Sequence, residues 1–162
     1  MDKAEVARRV RRFALQDAAS SLLVNSVTNW LAYRAVAAVP MTVDSITSRE
    51  PTLFSRSIPG ALLLCALLGS ITWFKFRKRG RTLTGVDYAL LDRPYFFVGL
   101  RIVSFYTVFV FGLVVTIGVL LRAWAGTLMV SSFAAVAIST AIAALSAWFI
   151  TASTMRAQLR AA

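Results

Sequence analysis

The sequence predicts an all-α membrane protein, a bundle of four transmembrane helices with both termini in the cytoplasm. Hydrophobic residues make up 58% of the chain, more than the roughly 45–50% that is usual in soluble domains. They fall into four long apolar runs, each with the ~20 residues that a bilayer core requires. The lysines and arginines cluster beside these runs, as charges that flank membrane spans do.

Prolines and polar connections give the expected limits of the spans. Pro40 is expected to end the first span, while Pro59 falls in the first turn of the second and Pro94 just precedes the third, where a missing N–H costs little. The first run is the most polar, and an interfacial amphipathic helix is its alternative. One integral membrane domain is expected over residues 1–162, with spans at about 13–39, 58–76, 95–121 and 124–154.

The cations predict the orientation of these spans. Of the 18 lysines and arginines, fourteen lie before the first span, around the second connection or after the fourth span, and four lie on the other side. Short loops rich in lysine and arginine stay in the cytoplasm, so both termini are expected there. No cleaved leader is expected, because the first apolar run is long and contains polar residues.

Polar residues recur on one face of the first run and form a polar stripe. Its members are Asp17, Ser21, Asn25, Thr28 and, at the edge, Asn29. Amide and carboxyl groups facing lipid would cost several kcal/mol each, so the stripe is expected to face other helices, a partner or water. It is either a zipper that fixes helix register or the wall of a substrate or ion path with Asp17 as its charged element. Asp17 is also close enough to pair with Arg12 or Arg101.

Small residues recur at four-residue spacing on the second and fourth runs. Such residues let helix backbones approach closely where lipid supplies no hydrophobic driving force. Packing within one bundle is expected, and an oligomer interface is the alternative. The stripes consist of Ala61, Cys65 and Gly69 in the second run, and of Ser131, Ala135, Ser139, Ala143 and Ala147 in the fourth.

A basic segment, KFRKRGR at residues 75–81, closes the second run. It is expected to anchor the topology, and each cation near an anionic leaflet also gains roughly 1 kcal/mol of attraction. A lipid-headgroup site is therefore the alternative interpretation. Its residues would be Lys75, Arg77, Lys78, Arg79 and Arg81.

The composition also argues against several kinds of chemistry. The chain has no histidine and a single cysteine, Cys65, so neither an intramolecular disulfide nor a metal or haem site of the usual kind is expected. No nucleophile–base pair or phosphate loop is visible, and we expect neither enzymatic activity nor a cofactor. The net charge of +11 lies beside the apolar runs and does not indicate nucleic-acid binding.

Two resemblances bear on function. In helix count and in one acidic residue in the first helix, the chain resembles the small multidrug transporters, but those use a glutamate and insert in both orientations, which the cation bias excludes. The segments LVNSVTNWLAYR and FKFRKR, within residues 8–80, resemble those of small uncharacterised four-helix bacterial inner-membrane proteins. This second resemblance implies a multi-pass plasma-membrane location and no particular chemistry.

The sequence therefore predicts a non-catalytic membrane protein that packs against lipids and against other subunits or itself. It would serve as an accessory subunit of a larger assembly or as a self-associating oligomer. The alternative is a small transporter or channel whose path is lined by the polar stripe.

Overall fold

The computed structural model describes residues 3–41, 52–84 and 95–160, and this part of the chain is mostly helical, which confirms the all-α fold class. A short two-stranded antiparallel sheet, which was not predicted, joins the helices at one end. The elements are α1 (Lys3–Tyr33), β1 (Ala38–Met41), α2 (Leu53–Thr84), a π-helical turn (Tyr95–Gly99), α3 (Leu100–Ala125), β2 (Leu128–Ser131) and α4 (Ser132–Arg160).

Helix α4 is the element that the other helices share. Helix α1 runs antiparallel along it, α2 lies beside it in the parallel direction, and α3 packs on both α2 and α4. Small side chains make this possible, because Ala135 and Ala147 of α4 are completely buried. A backbone that carries only methyl groups can be approached closely on more than one side.

Three helices in the described part of the chain are long and apolar enough to cross a membrane. These spans are Ser57–Lys75, Phe96–Ala125 and Ser132–Gln158. Large apolar side chains cover their outward surfaces, including Phe105 on α3 and Leu145 on α4, which are 65% and 67% exposed. A surface of that kind suits lipid better than water, as expected for a membrane protein. Helix α1 is not among the three, because its polar residues lower the mean hydropathy.

The first helix is shorter at its C-terminal end than predicted. It ends at Tyr33 rather than near residue 39, and residues 38–41 form β1. β1 pairs in the antiparallel direction with β2, which places Val39 opposite Val130. Val39 is buried there, in a cluster with Tyr33 and Leu53. A β-branched residue next to proline favours an extended conformation, and the buried pairing stabilises it.

The predicted boundary between the third and fourth spans is also wrong. Helix α3 continues to Ala125 and stops at Gly126, whose φ of 70° suits glycine and whose N–H donates to the carbonyl oxygen of Arg122 at 2.9 Å. Helix α4 begins only at Ser132, after β2. The spans predicted at 95–121 and 124–154 are therefore separated by a glycine-terminated helix end and a strand, and Trp124 belongs to α3.

Helix α2 is longer than predicted at both ends. It begins at Leu53 rather than near residue 58, because Leu53 and Phe54 are buried against the cluster around Tyr33. Pro59 consequently lies inside the helix rather than in its first turn. At the other end the helix continues through the basic segment to Thr84. The remaining parts of the first and second connections, 42–51 and 85–94, lie outside the described residues.

Gly69 marks the closest approach of three helices. A Cβ atom at this position would lie 2.9 Å from Cγ1 of Val103 on α3 and 3.1 Å from Cγ1 of Ile150 on α4. Both distances are shorter than normal van der Waals contact, and β-branched side chains have little freedom to move aside. The hydrogen atom of glycine is therefore what lets α2, α3 and α4 meet here.

Gly69→Ala is expected to lower the free energy of unfolding by about 1–3 kcal/mol, because the added methyl overpacks the contact. Gly112→Ala is the matched control, since a Cβ there meets no atom within 4 Å, and alanine improves helix propensity. Thermal unfolding of both variants in detergent measures the difference. Equal melting temperatures for the two variants would contradict the close approach.

Candidate functional site

The polar stripe of α1 lies mainly against α4. Because the two helices are antiparallel, residues later in α1 meet residues earlier in α4. At the end near the N-terminus, Asp17 is half-buried, and the hydroxyl of the fully buried Thr151 donates to its Oδ2 at 3.1 Å. Within the described residues the carboxylate makes no ion pair with Arg12 or Arg101. The charge is therefore held by a hydroxyl of the neighbouring helix.

The middle of the stripe crosses to α4 through a backbone carbonyl. The hydroxyl of Ser21 is buried and donates to the carbonyl oxygen of Ala143 at 3.4 Å. Asn25 donates from Nδ2 to the carbonyl oxygen of Ser21 at 2.8 Å and to its Oγ at 3.1 Å. The amide of Asn25 thus supports Ser21 within α1 and does not itself reach α4.

At the far end of the stripe, Asn29 and not Thr28 makes the contact with α4. Thr28 is exposed, and its hydroxyl donates to the carbonyl oxygen of Val24 at 2.9 Å. Asn29 instead donates from Nδ2 to Oγ1 of Thr140 on α4 at 3.3 Å. A helical period of 3.6 residues makes a stripe of fixed spacing drift around the helix, so the residue expected at the edge makes the contact.

The packing residues of α4 divide between two neighbours. Ala135 lies in the cluster with Tyr33 at the sheet end, and Ala143 lies against α1 through its carbonyl. Ser139 faces α2, where its hydroxyl lies 2.8 Å from that of Ser57. These side chains lie in contacts between helices of one chain.

Ser131 does not belong to this stripe, contrary to the prediction. It is the last residue of β2, and its Oγ accepts the backbone N–H of Ala134 at 3.3 Å. This is an N-cap, the position where serine satisfies one of the free N–H groups of a helix start. Ser132 adds a second tie, because its hydroxyl donates to the carbonyl oxygen of Val36. Both serines thus act at the start of α4.

The small residues of α2 lie on its inner face. Cys65 is completely buried with Val110 of α3 and Ile150 of α4. Gly69 meets Ile150 as well, and Ala61 is nearly buried. These three residues therefore lie where α2 meets α3 and α4.

In the basic segment, Lys75 is the residue whose side chain is described. Lys75 is exposed near the end of the apolar part of α2. The backbone of the other predicted headgroup residues is helical, but their side chains lie outside the description. Those residues are Arg77, Lys78, Arg79 and Arg81.

Sequence reasoning missed the partners on α4. Thr140 and Thr151 bond the polar stripe, while Thr154 and Gln158 continue the same face toward the end of the helix. Their positions are spaced by 11, 3 and 4 residues, which is a helical repeat. The spacing predicts a shared face of α4, but it does not show which helix that face contacts, because a threonine hydroxyl can also bond within its own helix.

Several buried side-chain oxygens of α2 and α4 have no hydrogen-bond partner among the described residues. They are Oγ1 of Thr72, Oγ1 of Thr154 and Oε1 of Gln158, whereas Nε2 of Gln158 donates to the carbonyl oxygen of Trp73 at 3.2 Å. Buried polar atoms of this kind usually bind ordered water. Two of these oxygens lie on α4, three and seven residues after Thr151, the partner of Asp17.

Two crevices lie elsewhere on the described surface. One is apolar and lies between α2 and α3, where Thr107 is among its lining residues. The other is a cleft of about 320 Å³ at the start of α1, lined by Glu5, Arg8, Arg9 and Arg12. Asp17 lines neither of them.

No family model, curated protein or solved structure matches this chain. The site must therefore be interpreted from its own geometry.

Asp17→Asn is expected to keep the fold, because the amide oxygen can still accept the Thr151 hydroxyl. Asp17→Leu leaves that buried hydroxyl without its acceptor and should cost about 1–3 kcal/mol. Removing both groups in Asp17→Leu/Thr151→Val should recover part of the loss, since no polar group is then stranded. Thermal unfolding of the variants measures this coupling, and strictly additive effects would contradict it.

Proposed function

We propose that the chain is a multi-pass protein of the bacterial inner membrane with four spans. The position of α1 supports this. It lies along α4 from Val10 against Met155 to Asn29 against Thr140, nearly the whole length of a helix that can itself cross a membrane. The outward side of α1 carries apolar residues such as Leu23, which is 68% exposed. Three of the polar groups that lower the hydropathy of α1 bond to α4, those of Asp17, Ser21 and Asn29.

The charges support a cytoplasmic position for both termini. Arg12 of α1, Lys75 of α2 and Arg156 of α4 are all exposed toward the same end of the bundle. The opposite end, near the sheet, carries Arg34 and Arg122. A cation-rich end is retained in the cytoplasm.

The proposed role is that of a non-catalytic, helix-packing protein, either a subunit of a larger membrane assembly or a self-associating bundle. The observation that carries it is the use of the polar stripe. Asp17, Ser21 and Asn29 all bond to α4, and interhelical hydrogen bonds of this kind contribute about 0.6–2 kcal/mol each. The stripe thus holds the bundle together, and the surface left for partners is mainly apolar.

A small transporter or channel is the second candidate, and a different observation favours it. Among the described residues, Asp17 is hydrogen-bonded through Oδ2 alone, and the buried oxygens Oγ1 of Thr154 and Oε1 of Gln158 on α4 have no hydrogen-bond partner. Ionisable groups inside membrane bundles often mark ion or proton paths. In this case the charge of Asp17 would be needed for flux, not only for folding.

The topology has a direct test. A reporter that is active only in the periplasm should be silent after Ala162 and active when inserted near Ser48. The reason is that an even number of spans returns the chain to the cation-rich side. Activity at Ala162, or silence at Ser48, would refute the four-span arrangement.

The role is tested by purification from native membranes in mild detergent, followed by mass spectrometry and a proton- or cation-flux assay in liposomes. A stoichiometric partner, or a homo-oligomer without flux, is the expected result, because the apolar outer surface is large. Asp17→Asn should behave as the unmodified protein. If the unmodified protein shows flux and the Asp17→Asn protein folds normally but has lost it, transport and not packing is the role of the protein.

A further inference from the structure

The cleft at the start of α1 is lined entirely by charged residues. Its four lining residues, Glu5, Arg8, Arg9 and Arg12, are spaced by 3, 1 and 3 positions. Residues three and four apart are neighbours on a helix, so the four form one compact patch. All three arginines are exposed, and the cleft of about 320 Å³ is open to the surroundings.

The charges within the cleft are not balanced. Oε1 of Glu5 accepts a hydrogen bond from Arg9 at 2.5 Å, which neutralises one of the three cations. Arg8 and Arg12 make no ion pair with any residue that the structure describes. The cleft therefore keeps two guanidinium groups on neighbouring turns. Guanidinium groups match phosphate oxygens with paired N–H donors, which ammonium groups cannot do.

An apolar surface continues directly from the cleft. Arg8, Leu15 and Leu22 are spaced by seven residues, so they follow one side of α1. Leu15 and Leu22 are 52% and 46% exposed, and this side is turned away from α4, which α1 contacts through Val10 and Asp17. The rise from Arg12 to Leu22 is about 15 Å, roughly the depth of one leaflet of a ~30 Å hydrocarbon core.

We propose that this side of α1 binds an anionic phospholipid of the cytoplasmic leaflet. The phosphate lies between Arg8 and Arg12, Glu5 holds Arg9 in place beside it, and the acyl chains cover Leu15 and Leu22. The argument is charge complementarity at the headgroup, joined to an exposed apolar strip of leaflet length. The proposal rests on α1 lying in the membrane, as proposed above, and not on the role of the bundle as a subunit.

The test compares the full-length protein in detergent with added phosphatidylglycerol or phosphatidylcholine, and measures lipid retention by native mass spectrometry. Phosphatidylglycerol should be retained in preference. Each arginine lost in Arg8→Gln/Arg12→Gln should weaken retention about fivefold. Arg8→Lys/Arg12→Lys keeps the charge and should fall between, because lysine lacks the paired donors.

Arg101→Gln/Arg156→Gln is the matched control. It removes the same charge from exposed positions at the same end of the bundle, on α3 and α4, and should retain lipid as the unmodified protein does. If the control variant loses lipid retention to the same extent, the attraction comes from the overall charge of the basic end and not from the cleft, and the proposed site is overturned. Soluble glycerol phosphate that displaces the lipid at matching concentration would assign the cleft to a soluble phosphate and also overturn the proposal.

Loss of folding does not obscure these outcomes. The arginines are exposed, so all variants should keep the size-exclusion profile and the melting temperature measured without lipid. A failure of the lipid proposal is also separate from a failure of the proposed function. Reporter topology and partner co-purification do not depend on lipid retention. Both can give the expected results even if the protein does not prefer phosphatidylglycerol to phosphatidylcholine.

Discussion

The close packing of helices around α4 is the constraint on which the rest of the structure depends. Lipid gives apolar helices no reason to associate in preference to lipid itself, so association relies on close contact and on hydrogen bonds. Ala135 and Ala147 are completely buried, and Gly69 of α2 admits Val103 and Ile150 at distances that any side chain would block. Larger residues at these places would separate the helices and break the polar contacts between them.

The polar contacts explain how a helix of low hydropathy can belong to the bundle. Ser21 donates to a backbone carbonyl of α4, and Asn29 and Asp17 bond to threonine hydroxyls there. Thr28 satisfies itself within its own helix, as hydroxyls in membrane helices commonly do. Average hydropathy counts all of these groups as if they faced outward. The direction of each group, and not its presence, decides whether α1 is compatible with lipid.

Much of this architecture follows from the sequence, because long apolar runs permit few structures. The four helices and their all-α class could be predicted from those runs. The polar face of α1 could be predicted from spacing alone, but its partners Thr140 and Thr151 could not, since they lie more than 100 positions away. Ser131 was assigned to packing because its spacing fits the stripe, whereas a cap depends on where the helix begins. Pro59 lies inside α2 and not in its first turn, because burial of Leu53 extends the helix toward the N-terminus.

The prediction of helix ends fails for one common reason. Val39 and Val130 are as suitable for a membrane helix as for a strand, and only their mutual contact decides between the two. Local composition cannot report a contact between segments separated by the whole central part of the chain. The same is true of Ser132, which reaches Val36. Such ties between distant segments set the end of α1 and the start of α4.

The small sheet has a mechanical consequence for the molecule. It joins the segment between α1 and α2 to the segment between α3 and α4 by backbone pairing. At the arginine-rich end, α4 is held to its neighbours by side-chain contacts instead, Val10 with Met155 and Gln158 with Trp73. The two connections therefore cannot separate without breaking a backbone pairing, whereas the helices at the opposite end can part by repacking side chains.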